Sequence, residues 1–184
     1  GCRVVDHNSY TGDDRGGIAT NSNGVFYAGD SSGVRYNQDL NSPERVTRRD
    51  NMVSDLGTGT VYLLWDRNGN RSVGRGGRVN GLQPVDNRLN PTGQPIALSQ
   101  EIDISSTTLI LAGFHAVGFW SRNAWHVVEL PSGQVTNLGT RNPGYIYPCE
   151  NWARWGILEY FDGNYYALFR GQGNVITRFN ISQG

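Results

Sequence analysis

The chain contains no lysine. All 16 of its basic residues are arginine, and 16 acidic residues balance them in a length of 184. Glutamate (5) and alanine (8) are scarce as well. These three strong helix formers supply only 13 positions, whereas glycine and asparagine supply 25 and 18, so a mainly helical fold is excluded. Zero net charge excludes a protein whose main partner is a polyanion, because nucleic-acid binding rests on surplus cations that displace counterions from phosphates.

Long apolar runs are lacking too. None reaches the roughly 18–20 residues that cross a bilayer. The longest stretch, Leu109–Trp120, is broken by Gly113 and His115, so no membrane span is expected. No signal peptide or initiating methionine precedes Gly1, and the sequence reads as a mature or excised chain. The two cysteines, Cys2 and Cys149, match no zinc spacing and no CxxC redox motif. In an oxidising compartment they can form one disulfide; the alternative is two buried thiols. The bridge is preferred, because abundant Gly, Asn, Thr, Ser and aromatics suit a secreted or cell-surface protein. Asn70-Arg71-Ser72 and Asn180-Ile181-Ser182 fit the glycosylation triplet. The missing lysine has three candidate origins: a genome favouring arginine codons, selection against lysine modification, and resistance to lysine-directed proteases outside the cell.

What is present points to strands. Five Trp, nine Tyr and six Phe exclude disorder, and at this length roughly 70% of the unfolded surface can be buried. Val25–Ala28, Val61–Trp65, Leu109–Ala112 and Trp125–Leu130 are short apolar segments between turn residues. Trp125–Leu130 meets Pro131-Ser132-Gly133 and then Gln134–Leu138, a hairpin signal, and Tyr165–Phe169 is followed by Val175–Phe179 in the same way. Several segments are apolar on both faces, which implies burial between packed sheets.

The chain repeats itself. Gly17-Ile18-Ala19, Gly24–Ala28 and Val34–Asn37 correspond to Gly156-Ile157-Leu158, Gly163–Ala167 and Thr177–Asn180. Two weaker copies lie between them, one beginning at Gly59-Thr60-Val61-Tyr62 and the other at Thr107-Thr108-Leu109-Ile110. Each unit reads as three or four short strands in about 46 residues, the size and content of a propeller blade. The chain therefore resembles β-propeller repeats in general, without the Trp-Asp or kelch signature of a named subfamily. The resemblance implies an all-β single domain of four blades, about 15–50, 51–105, 106–150 and 151–184. The last blade lacks its outer strand, and an N-terminal strand within residues 2–6 would complete it and close the ring. A Cys2–Cys149 disulfide would latch that closure and contribute on the order of 4–5 kcal/mol in the loop-entropy account. The alternatives are a β-sandwich or part of a larger propeller.

Motifs for chemistry are weak. Asp66–Asn70 looks like a calcium loop, but its glycine is fourth and position twelve is Gly77, so it reads as a turn. His7, His115 and His126 show no paired ligand spacing, and no metal or cofactor is expected. No G-x-S-x-G elbow exists. Glu129, Glu150, Glu159 and Asp162 could form a carboxylate pair for glycoside cleavage only if the fold sets two of them across a cleft. Residues 66–95 are rich in Gly, Asn, Arg and Pro and read as a surface excursion or a binding loop. Aromatics cluster near the C-terminus. Tyr145, Tyr147, Trp152 and Trp155, with Arg75 and Arg78 from the excursion, are the candidate binding residues, suited to stacking on sugar rings or anchoring a protein. The expectation is a non-catalytic binding module for glycan or protein within a larger adhesive or appendage assembly. The alternatives are a carboxylate-pair glycoside hydrolase and a structural subunit of a surface polymer.

Overall fold

The computed structural model describes residues 2–9, 17–28, 33–47, 51–66, 77–104, 108–141, 157–161, 164–168 and 175–181. In 2–9 and 157–181 it gives the backbone path together with the side chains of Tyr166 and Arg178. The described residues form sixteen strands and no helix, and no membrane-crossing helix occurs among them.

The strands follow a meander pattern. After β1 (Cys2–Ser9), the first unit is β2 (Gly17–Asn21), β3 (Gly24–Ala28), β4 (Gly33–Tyr36) and β5 (Glu44–Val46). The second is β6 (Met52–Ser54), β7 (Val61–Trp65), β8 (Arg78–Val85) and β9 (Ile96–Asp103). The third is β10 (Leu109–Ala112), β11 (Ala116–Ser121), β12 (Ala124–Glu129) and β13 (Val135–Gly139). β14 (Ile157–Phe161), β15 (Asn164–Leu168) and β16 (Val175–Ile181) follow, and β1 pairs antiparallel with β16 as the fourth strand of this last unit. The third and fourth units join into one eight-stranded sheet through a two-residue parallel pairing, Ile110 with Ile157 and Leu111 with Leu158. The first strands of the units neighbour one another in succession: β2 meets β6, β6 meets β10, β10 meets β14 and β14 meets β2.

Apolar alternation explains why the strands read as continuous hydrophobic runs. Ile18, Val25, Tyr27, Val53, Tyr62 and Leu64 enter the main core. Their neighbours Ala19, Phe26, Met52, Val61 and Leu63 enter a second cluster with Val46, Val85 and Leu89. Successive side chains of a strand point to opposite faces, so each of these strands feeds both cores. Burying one such large side chain contributes about 1.5–3 kcal/mol.

Two features depart from the sequence reading. The stretch 66–95 contains β8, with Val79, Leu82 and Val85 buried. The β8–β9 register shifts between Val79 and Gly81, so Val79 and Leu82 share the main core while Val85 enters the second cluster, which hides the period of two. Gly81 lies under the Trp65 indole, where a Cβ would come within 2.6 Å of the ring. The second unit also starts earlier than Gly59. Val61 pairs with Ser54, so Val61–Trp65 is a second strand and the first is Met52–Ser54, too short to stand out.

Two loops share one device. Asn37 Oδ1 accepts the N–H groups of Asp39 (3.0 Å) and Asn41 (2.9 Å), and Asp86 Oδ1 accepts those of Arg88 and Asn90 (both 2.9 Å). Each loop ends its turn with a leucine in the left-handed region, Leu40 at φ 62° and Leu89 at φ 63°. Both leucines are buried. Left-handed backbone costs a branched residue on the order of 1–2 kcal/mol, and burial offsets that cost. Leu89→Ala is expected to destabilise the chain by about 2–4 kcal/mol, read from the urea midpoint; a loss below about 1 kcal/mol would show that the loop does not need its apolar plug.

The junction of the first two units is polar at its rim. Glu44 pairs with Arg35 and with Arg88 (3.1 Å), and Arg88 also donates to the Arg45 carbonyl (3.3 Å). The Arg35 hydrogen bond and charge hold the Glu44 carboxyl below the usual carboxylate range, with a smaller contribution from Arg88. A lowered carboxyl stabilises the fold above its ordinary value, and that stability is lost as pH falls through the lowered one. Stability should therefore drop on acidification below about pH 4, and less steeply in Glu44→Gln; identical acid profiles would remove Glu44 from the account.

Candidate functional site

The first-to-second strand turns of three units come together at one end of the molecule. The turn Asp55–Thr60 closes on itself through Asp55 N–H to the Thr60 carbonyl (2.9 Å) and Gly59 N–H to the Asp55 carbonyl (2.8 Å). The Asn21 amide of the first unit donates to the Gly59 carbonyl (3.1 Å). On the other side, Asp55 forms a parallel bridge with Gly113 of the third unit, and Leu56 N–H donates to the Gly113 carbonyl (2.9 Å).

Asp55 is the centre of this arrangement. Its side chain is 3% exposed. Oδ1 accepts two backbone hydrogen bonds, from Gly57 in its own turn and from His115 in the neighbouring unit, both at 2.8 Å. Oδ2 lies 3.7 Å from His115 Nδ1. Hydrogen bonds to a charged acceptor are worth about 1.5–3 kcal/mol, so this carboxylate ties two units together through one oxygen and faces an imidazole with the other.

His115 is fixed from several sides yet open to solvent. Its backbone is left-handed at φ 57°. Its ring lies against Gly57, where an added Cβ would come within 2.5 Å of Nε2. Its carbonyl accepts from Leu130 N–H (2.9 Å). The side chain is nevertheless 64% exposed. The preceding residue, Phe114, is 57% exposed and is the one large hydrophobic side chain left mainly in solvent among the described residues. Beneath the turn, burial pushes the Tyr62 hydroxyl above its ordinary value, and the Asp55 charge adds to that, while a hydrogen bond with Thr60 opposes it.

The opposite end carries a second polar cluster. Asp103 pairs with Arg78 Nε (3.2 Å) and with Arg122, and Glu101 lies 3.6 Å from Arg78. Arg78, a candidate binding residue, is exposed at the start of β8 and already engaged with these carboxylates. Tyr145, Tyr147, Trp152, Trp155 and Arg75 lie outside the described residues, as do Cys149 and the side chain of Cys2. Of the candidate acids, Glu129 is exposed at the end of β12, Glu159 is described by its backbone in β14, and Glu150 and Asp162 lie outside. His126 sits in β12 opposite Phe119 and His7 pairs with Thr177 in backbone register. Among the described residues no three metal-donor side chains gather. Of the Asp66–Asn70 turn, only Asp66 is described.

Asp55 was not among the residues singled out from the sequence. Within Asp55-Leu56-Gly57-Thr58-Gly59 it reads as an ordinary turn residue, and its partner is sixty positions away. The available signal was positional: Asp55 and Gly113 both follow the first strand of consecutive units.

No model of a known protein family matches the chain, and no curated protein matches it. Among solved structures, it is similar to glutaminyl cyclase from Myxococcus xanthus over 99% of this chain and 97% of that one, at 10% identity and a TM-score of 0.38. A likeness that loose carries no argument about fold or activity.

Two substitutions separate joining from orientation. Asp55→Ala leaves two N–H groups without their acceptor and should cost about 2–4 kcal/mol in a denaturant titration. Gly57→Ala should cost under about 1 kcal/mol, because the exposed imidazole can swing aside, while dispersing the His115 ring resonances. Equal losses in both variants would contradict this division of roles.

Proposed function

We propose that this chain is a small four-bladed β-propeller acting as a non-catalytic binding module for glycan or protein. The propeller reading is supported by three successive four-strand meanders and a three-strand one completed by β1, and by first strands that neighbour one another around a ring. Propellers protect short edges by such radial repetition.

The observation that carries the binding reading is the pairing of exposure with rigidity on the turn Gly113–His115. Phe114 and His115 are presented to solvent while the backbone beneath is tied to Asp55 of the preceding unit. An exposed aromatic on a rigid support binds with little loss of conformational freedom. The aromatic stretch Asn142–Trp155, outside the described residues, is the other segment proposed for recognition. Life outside the cell, a Cys2–Cys149 disulfide and membership of an adhesive assembly belong to the same reading and rest on composition and spacing.

A glycan array and an affinity capture from extracellular material, each run with the wild-type chain, Phe114→Ala and Trp152→Ala/Trp155→Ala, test it. Binding by the wild type and at least tenfold weaker binding by Phe114→Ala, about 1.4 kcal/mol or more, are expected. Loss only in the tryptophan double variant would move recognition to the other surface. Turnover of nitrophenyl glycosides, abolished in Glu129→Gln, would instead establish a hydrolase.

A further inference from the structure

We infer that His115 and Phe114 form a subsite for a neutral pyranose, in which a sugar hydroxyl donates to His115 Nε2 while the apolar face of the ring lies on Phe114. This rests on the binding reading above and narrows it to one ligand class and one atom.

The atom follows from the hydrogen-bond geometry. Asp55 Oδ1 is occupied by two backbone N–H groups. Oδ2 remains, and the group it faces across 3.7 Å is Nδ1 of His115. A carboxylate at that distance favours, through its charge rather than a formed hydrogen bond, the tautomer with its proton on Nδ1. Nε2 then carries a lone pair. Gly57 packs against the ring near this atom, where a Cβ would come within 2.5 Å of it, yet the side chain as a whole stays 64% exposed. With the proton on Nδ1, Nε2 is an acceptor at the surface, and the ligand must bring a donor.

The ligand class follows from what surrounds that atom. A stable protein–protein contact takes about 800 Å² per partner with an apolar centre. Among the described residues this end offers one exposed large hydrophobic, Phe114, on a turn that meets the exposed Gly57 and Thr58 through Asp55 and His115. That is the scale of one sugar ring: an aromatic platform and a few polar groups. The turns Asp55–Thr60 and Gly113–His115 contain no arginine, and Asp55 is buried beneath them. Among the described residues of these turns no arginine compensates a carboxylate or a sulfate, so a neutral sugar fits better than an acidic one.

Long-range ¹H–¹⁵N correlation spectra of the full chain test this directly. The free protein should show His115 protonated on Nδ1. Titration with methyl glucopyranoside, methyl galactopyranoside and methyl mannopyranoside should move the Nε2 resonance saturably for at least one of them, with saturation transfer from the Phe114 ring to the sugar C–H face. His115→Ala should weaken that sugar about fivefold to tenfold, one hydrogen bond's worth. Asp55→Asn keeps an oxygen for the two backbone bonds, so it should fold and yet lose the Nδ1 tautomer. A proton on Nε2 in the free protein overturns the inference. So does a sugar that binds while His115 stays unmoved, or a protein ligand at Phe114 with no sugar bound; these last two leave the binding module standing. A blank array together with no captured protein removes the binding module, and the subsite with it.

Discussion

Everything in this structure depends on strands that are apolar on both faces. A lone four-stranded meander can bury one face at most by curling, and Val61–Trp65 needs both covered. Tyr62 and Leu64 go one way and Val61 and Leu63 the other. The unit containing them is therefore unstable alone and must be flanked by other units. The same holds for Gly17–Asn21, buried at every residue. Two-sided burial makes neighbouring units mutually dependent, and it sets the first strands, buried throughout where their side chains are described, against each other at the centre. Short strands and tight turns follow, since each unit has to fit between two others.

Apolar packing fixes distance between units but not register. Directional bonds between units supply that. Thr20 N–H reaches Ser54 Oγ (3.1 Å) and Val135 N–H reaches Ser99 Oγ (2.8 Å), each across a unit boundary. Tyr166 donates to the Gln38 carbonyl and Arg178 pairs with Asp39, joining the last unit to the first. Arginine recurs in these positions: Arg35 and Arg88 converge on Glu44, and Arg78 and Arg122 on Asp103. Arg88 uses two nitrogens on two acceptors, Glu44 and the Arg45 carbonyl. A guanidinium fork can do this in one plane where an ammonium is a point charge. The fold thus gives the surviving cations a use, although it does not require that lysine be absent elsewhere.

The strands were legible in the sequence where β-branched and aromatic residues bunch between glycines, as in Gly24–Ala28, Val61–Trp65 and Ala124–Glu129. The correspondence of Gly17-Ile18 with Gly156-Ile157 falls on strands that occupy the same place in their units, β2 and β14. Two kinds of information escaped. A register shift scrambled the period of β8, so its three core residues looked like loop. And side-chain bonds across units, such as Asp55 to His115, depend on which turns meet in space, which no local pattern encodes. The leucine-ended loops were a missed signal of the first kind: Asn37-x-x-Leu40-Asn41 and Asp86-x-x-Leu89-Asn90 are visible as a repeat once the Asx-turn bonds show that both polar residues do the same work.

The turn at His115 is also where structure and economy part. The joining of the second and third units is complete without an imidazole: Asp55 Oδ1 takes the two N–H groups, the Leu56 N–H takes the Gly113 carbonyl, and the parallel bridge does the rest. Any residue tolerating φ near 57° could supply the backbone of His115, and asparagine or glycine would do so with less strain. Holding the Phe114 phenyl and the His115 imidazole in solvent at consecutive positions adds nothing to the core clusters and leaves Phe114 as the one exposed large hydrophobic among the described residues. The binding module proposed above would give that exposure a role.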